Sequence, residues 1–414
     1  MAVGLSNWSD NFVYSAESVH RPTSVAELQQ VVAVNDRVKA VGTRHSFSTV
    51  ADSPGGALVF LSQLEPGVVV DKHRMVATVT AGTPYGVLAA ELERQGCALA
   101  NMGSLPHISV GGGTATGTHG SGDGNGILAT AISAVELVIA DGSLIRIDRS
   151  NPDLAAIAVG LGAFGVVTRL ELDVQPSYQM RQDVYAEAPW GTVLAAFDEV
   201  MASAYSVCLI ANFGHPTVRQ IWQKVRLDAD PPDACESFHG GAWIDDSALP
   251  EGHSLNPRAG ITGPWCDRLP HFRLDAPPSS GGSELQSEYF VPRVHAVEAL
   301  EAMLAMGDRI EPHLRATEIR TAASDELWLS PAYQRDCLCI GFTWHKHPEE
   351  VDALLPDVEA ALEPYEPRPH WGKLFAFDDV EARFARAADF VALAKRYDPS
   401  GKFWNPFLDQ LYRG

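Results

Sequence analysis

The run Ser104-Leu105-Pro106-His107-Ile108-Ser109-Val110-Gly111-Gly112-Gly113-Thr114-Ala115-Thr116-Gly117-Thr118-His119-Gly120 constrains this chain more than any other feature. A backbone this poor in Cβ atoms offers bare N–H groups and lets a ligand approach closely. Upstream, Val41-Gly42-Thr43-Arg44-His45-Ser46-Phe47 sets a histidine in a second glycine turn, at the end of a predicted buried strand over Val38 to Val41. Each segment alone is a weak signal, since glycine-rich loops are often mere turns. Together they describe a cradle for a pyrophosphate group with a nucleophilic imidazole aimed into it.

The chain is long enough, at 414 residues, for two or three domains with cores of their own. Its formal net charge of −21 disfavours nucleic acid and anionic membrane as partners and suits a neutral small substrate. Cys97, Cys208, Cys235, Cys266, Cys337 and Cys339 are scattered without a Cys-x-x-Cys pair, so they predict reduced buried thiols rather than a zinc site or a disulfide scaffold. The N-terminus lacks the basic and apolar regions of a secretion signal, and no apolar run approaches a membrane span. The expectation is a cytoplasmic monomer.

Helical and extended patterns alternate over the first 175 residues. Ser24-Val25-Ala26-Glu27 has capping-box spacing and opens a helix to about Asn35. Met75 to Thr80 reads as a strand, and Thr83-Pro84 as an N-cap and first-turn proline for a helix ended by Gly96. Val135 to Ala140 and Leu144 to Asp148 read as a hairpin about Asp141-Gly142. The character changes near Gln175-Pro176. Beyond it come long loops such as Ala276 to Gly282, a strand over Glu284 to Val291 and a helix from about Val294 to Met306. An amphipathic helix over about Val380 to Tyr397 closes the chain. The expected division is 1–175, 176–367 and a C-terminal segment 368–414.

Gly160-Leu161-Gly162-Ala163-Phe164-Gly165 matches the G-x-G-x-x-G dinucleotide fingerprint, but its setting is reversed. That motif needs a strand before and a helix after, so that a helix N-terminus meets the pyrophosphate. Here a helix-like stretch precedes and the alternating strand Val166 to Val174 follows, so a tight helix-to-strand turn near a ligand is expected in place of a nicotinamide site.

Several segments resemble the vanillyl-alcohol-oxidase-type flavoproteins and, within them, the alditol (xylitol) oxidases, over nearly the whole chain. They are the two glycine segments already quoted with the adjoining Asn101-Met102-Gly103 and Ser121-Gly122, then Glu318-Ile319-Arg320-Thr321 and Arg368-Pro369-His370-Trp371-Gly372-Lys373. The resemblance implies an α+β, two-domain FAD-binding fold with a substrate-binding cap domain over 176–367. It implies FAD in the N-terminal domain, covalently attached through His45. The FAD contacts it implies are Ala40, Val41, Gly42, Thr43, Arg44, His45 and Ser46, then Ser104, Ser109, Gly112, Thr116, Gly117, Thr118, His119 and Val167. A small residue at Gly103 is taken to leave oxygen a path to the flavin.

Glu318 and Arg320 at i and i+2 of a strand point to one face, where a carboxylate beside a guanidinium can hold adjacent hydroxyls. A Glu-x-Arg pair is more often structural; the resemblance assigns it to polyol binding, with Ser104, Thr343 and Lys373. It also makes Lys373 the catalytic candidate for handling the substrate hydroxyl proton, as base or as polarising group. The implied reaction takes the terminal CH2OH of a polyol to the aldose and dioxygen to hydrogen peroxide. The alternative is an aldonolactone or other sugar oxidoreductase on the same scaffold. One position departs from the family: related alditol oxidases carry a histidine where this chain has Gly341, which opens space and puts polyol chain-length preference in question. His345, His347 and His370 lack a completing carboxylate or cysteine, so no metal is expected.

Overall fold

A computed structural model describes residues 4–65, 67–228, 231, 233–245, 254–258, 260–277 and 281–411. Residues 278–280 of the expected 276–282 loop and the first three residues of the N-terminal reading lie outside that set.

Two small sheets carry the N-terminal half. A parallel one orders Ser18–His20, Ala57–Phe60 and Val38–Val41. An antiparallel one orders Val68–Asp71, Val76–Thr80, Val166–Asp173, Ile132–Val138 and Leu144–Asp148. The last two form the expected hairpin. Ser24 caps the Val25–Val34 helix by accepting from the Glu27 N–H, while the Glu27 carboxylate reaches back to Thr23, one residue before the expected partner. The helix expected at Thr83 begins one residue later, at Tyr85 with Pro84 as N-cap, because the Thr83 hydroxyl pairs with Thr80 instead. Within the glycine run, Val110–Ala115 winds into a short helix where only a loop was expected.

From Gln179 to Pro369 the chain builds a ten-stranded sheet. Its centre is antiparallel, in the order Thr217–Arg226, Ser206–Ala211, Leu314–Ala322, Cys337–His345 and Glu284–Pro292. Strand period two divides its residues between the faces. Leu285, Tyr289, Val291, Ile319, Leu338, Ile340 and Trp344 share a core with Leu300, Met303, Val351, Leu355 and Val358 of the Ala296–Ala305 and Pro348–Leu362 helices. The alternating positions Gln286, Glu288, Glu318, Arg320, Gly341 and Thr343 face a cavity between this sheet and the N-terminal half.

The C-terminal segment returns to the N-terminal core, where Trp371, Phe390, Phe403 and Leu408 are buried. Its expected single helix is two, Val380–Arg383 and Ala387–Tyr397, because Phe384 adopts an extended conformation between them. All six cysteines are free, but Cys235 is exposed, contrary to the buried setting expected for the set.

Candidate functional site

The His45 turn hangs from the end of the Val38–Val41 strand. Arg44 takes a left-handed φ of 63°, a conformation that costs a non-glycine residue roughly 1–3 kcal/mol and persists only where contacts hold it. Its guanidinium donates to the Ser6 carbonyl at 2.6 Å and its own carbonyl accepts from the Trp8 N–H at 2.7 Å. So fixed, the turn sends His45 inward, stacked against Trp8 with ring centroids 5.0 Å apart. His45 Nδ1 meets Thr43 Oγ1 at 2.9 Å, and its Nε2 is buried without a partner. Burial, then the neighbouring His107, pushes the imidazole down to about 4, so it is neutral at physiological pH.

The glycines leave no room for a side chain. A Cβ on Gly42 would fall 2.0 Å from Ser109 Oγ, and one on Gly111 would fall 2.8 Å from the Ala81 Cβ. The reversed fingerprint completes the wall. Gly160 to Gly165 join the Leu154–Ile157 helix to the Val166–Asp173 strand and line the cavity. Lys39, buried beneath, donates to the Leu161 carbonyl at 2.9 Å; burial takes its pKa down to about 7.

These walls enclose about 460 Å³, within the range of cofactor and ligand sites. Residues 40–46, Ser104, Ser109, Gly112, Thr116, Thr118, His119 and Val167 all line it. Gly117 does not; its α-carbon backs onto the Pro331 ring. Ser104, Glu318, Arg320, Thr343 and Lys373 line the same cavity. A wall of bare backbone beside an imidazole whose Nε2 has no partner suits a diphosphate-bearing cofactor.

At the sheet the chemistry is ionic. Arg320 Nη2 lies 3.1 Å from Glu318 Oε2, and its Nη1 donates to Ser104 Oγ at 3.2 Å. Ser104 Oγ in turn donates to Glu318 Oε2 at 3.1 Å. The backbone of the same serine accepts from the N–H groups of His271 and Phe272. Lys373 arrives on the C-terminal segment, held by its N–H to the His370 carbonyl and by the Gly372 carbonyl accepting from Phe47 N–H. That contact ties the lysine to the residue just beyond the His45 turn.

Two residues essential to this geometry were not singled out in the sequence. Glu288, only 1% exposed, receives Lys373 Nζ at 2.9 Å, His119 Nε2 at 3.0 Å and Arg320 Nη2 at 3.3 Å. Burial opposes its charge, yet Lys373, His119 and Arg320 hold its carboxyl well below the usual range. His271 Nδ1 meets Glu318 Oε1 at 3.2 Å. Burial likewise opposes the Glu318 charge, and Arg320 followed by His271 keeps that carboxyl low. The available signal was Glu284, Gln286 and Glu288 at period two in a strand otherwise apolar enough to be buried. His370 is buried, with its imidazole pushed down to about 3 by burial. Among the described residues no group of three or more His, Cys, Asp or Glu side chains could hold a metal ion.

Comparison with known proteins follows this division. An FAD binding domain family matches residues 16–148, and a D-arabinono-1,4-lactone oxidase family matches residues 283–411. Alditol oxidase of a Streptomyces species is 42% identical over the full length of both chains. L-gulonolactone oxidase of Mus musculus is 27% identical over 99% of this chain and 98% of its own. In structure, a cholesterol oxidase from B. sterolicum superposes with a TM-score of 0.79 over 99% of this chain and 97% of its own, at 16% identity, a likeness of fold alone. By its full-length identity this chain belongs to the alditol oxidase family of FAD-dependent oxidoreductases.

Proposed function

We propose that this chain is an alditol oxidase, converting the terminal primary alcohol of polyols of the xylitol and sorbitol type to the aldose. FAD, when bound, supplies the two-electron acceptor for the alcohol and passes the electrons to dioxygen, giving hydrogen peroxide. The supporting observation is a single cavity with a bare-backbone wall and a free imidazole at one side and a hydroxyl-binding ionic cluster at the other.

The cradle residues 40–46, Ser109, Gly112, Thr116, Thr118 and His119 would hold the cofactor. His45 Nε2 is the nitrogen free to bond to it, since Nδ1 is engaged by Thr43. Glu318, Arg320 and Ser104 already form one hydrogen-bonded triangle, so they can exchange those bonds for substrate hydroxyls with little reorganisation. A deoxy analogue would leave these groups unpaired and is penalised. Thr343 extends the same face. Lys373 meets the reacting hydroxyl. Lys373 Nζ acts on that hydroxyl as base or as polarising group, and the Glu288 carboxylate, 2.9 Å behind it, holds the lysine in place. Gly103 adjoins the cavity, and a Cβ there would stand 3.4 Å from the Thr118 methyl and 3.6 Å from the His119 carbonyl, space that suits an oxygen path. The free thiols suit the cytoplasm.

Two measurements test the reading. Acid-denatured protein run on a gel is expected to stay yellow and fluorescent; free FAD in the supernatant removes the covalent link. Peroxide release with xylitol, sorbitol and glycerol is expected to exceed that with aldonolactones; the reverse order turns the assignment to a lactone oxidase.

A further inference from the structure

Beyond Thr343 the cavity face ends in a row of different chemistry. Across three adjacent strands the face reads Glu318, Gly341, Glu288, then Ala316, Thr343, Gln286. The register then slips between Leu314 and Ala316, so the Leu314–Ala322 strand carries one extra residue there, and that residue is Arg315. Such bulges bend a strand and re-aim a side chain. Arg315 lines the cavity, and its Nη1 crosses to the far strand's end, donating to Ser283 O at 3.1 Å and Ser283 Oγ at 3.2 Å. Both acceptors are neutral, and among the described residues Arg315 forms no ion pair. The other cavity guanidinium on this strand, Arg320, has two carboxylates.

Imidazoles gather around it. Burial, then Arg315, His347 and His313, lowers the His345 pKa, so all three lie within electrostatic reach of that ring. His313 and His347 meet through their Nδ1 atoms at 3.3 Å. Glu284 opposes His345 across the strands and lines the same cavity, so one carboxylate stands at this end too; it accepts from Gln286 Nε2 at 2.6 Å and forms no ion pair with Arg315. Among the described residues, this end of the cavity therefore presents an exposed guanidinium with no carboxylate at ion-pair distance.

We propose that the preferred substrates carry an oxyanion, a phosphate ester or a carboxylate, at the end opposite the oxidised CH2OH, and that Arg315 binds it. The inference rests on the polyol reading of the site. Four residues of strand separate Arg320 from Ala316, about 13 Å, and long side chains reach inward from both ends. Gly341 keeps the way open: a Cβ there would lie 3.1 Å from Glu288 Oε1 and 3.4 Å from the Glu318 carbonyl. The cations at the other end, Arg320 and Lys373, already have Glu288 and Glu318 as partners, whereas Arg315 donates only to Ser283, so an oxyanion gains most toward Arg315, with the CH2OH toward Lys373. The guanidinium fork matches the oxygen pairs of phosphate and carboxylate.

The test compares xylitol, xylitol 5-phosphate and an aldonate, D-gluconate, as substrates of the FAD-loaded protein, by peroxide release and by anaerobic bleaching. At least one oxyanionic compound is expected to exceed xylitol in kcat/KM by ten-fold or more, with the advantage shrinking as salt is raised. Preference for the ester identifies phosphate as the source, and preference for gluconate identifies the carboxylate. Arg315→Gln is expected to cut the oxyanion-to-xylitol ratio at least ten-fold, with Arg315→Lys in between. Calorimetry of the holoenzyme with inorganic phosphate should give a binding signal that Arg315→Gln loses. If xylitol turns over while both oxyanionic compounds are no better, or if Arg315→Gln keeps the ratio, the inference is overturned and the polyol reading stands. If neither neutral nor anionic polyols bleach the flavin, both fall.

Discussion

The two walls of the cavity hold their ligands by opposite means. The N-terminal wall is backbone: glycines with no room for a Cβ against Ser109 and Ala81, a short helix, and one imidazole kept neutral by burial. The sheet wall is side chain: Glu288, Glu318, Arg320 and Lys373, with His119 and His271 behind them, from segments far apart in the chain. A backbone wall tolerates little steric change and is nearly indifferent to charge. A charge cluster tolerates steric change better, but removing one member leaves the others buried and unpaired.

The sharpest way to break this contrast is Glu288→Gln. Three cationic or donor groups lose a carboxylate in a buried place, where breaking one such pairing costs about 3–5 kcal/mol. Denaturant unfolding should register a loss of that order together with a collapse of turnover; a change under about 0.5 kcal/mol, typical of a surface site, would mean the cluster is not a unit. Lys373→Ala comes next. It should keep the yellow cofactor and lower turnover by about 10²–10⁴, the usual worth of a proton-handling group, and near-normal turnover refutes its role. On the other wall, Gly42→Ala should reduce flavin loading, read from the visible-to-ultraviolet absorbance ratio, because its methyl overlaps Ser109 Oγ; adding Ser109→Gly should restore part of it. Full loading in the single variant would show that the wall yields.

The smallest effect expected is on pH dependence. Glu288 and Glu318 are held below their ordinary values, so the folded state binds fewer protons than the unfolded chain near those values. Their contribution to stability is complete above the unfolded carboxyl range and is lost as pH falls through the folded values. Glu318→Gln should flatten the acid limb of a melting-temperature profile while leaving its neutral plateau shape alone; an unaltered acid limb would show that the pairing contributes nothing.

What the sequence carried follows the same division. The cradle was legible because its parts are local: Gly42 and His45 share one turn, and Gly111 to Gly113 share another, so composition alone announces close backbone approach. The order of elements around Gly160 was legible as well, since helix-before-strand is local information too. Glu318 and Arg320 were readable as one face from strand period. The broken helix at Phe384 and the winding of Val110–Ala115 were not legible, because burial against distant residues overrode local pattern.

The sequence by itself determined the bare-backbone turns, the histidine within the first of them and the alternation of the central strands. Each is a property of neighbours in the chain, set by sterics and period. Only the tertiary structure decided which carboxylate meets Lys373, that a bulge turns Arg315 across the cavity, and that Gly341 lies between two glutamates. Those relations depend on the register of strands whose pairing no local pattern specifies, and in a buried site register decides which charges find partners.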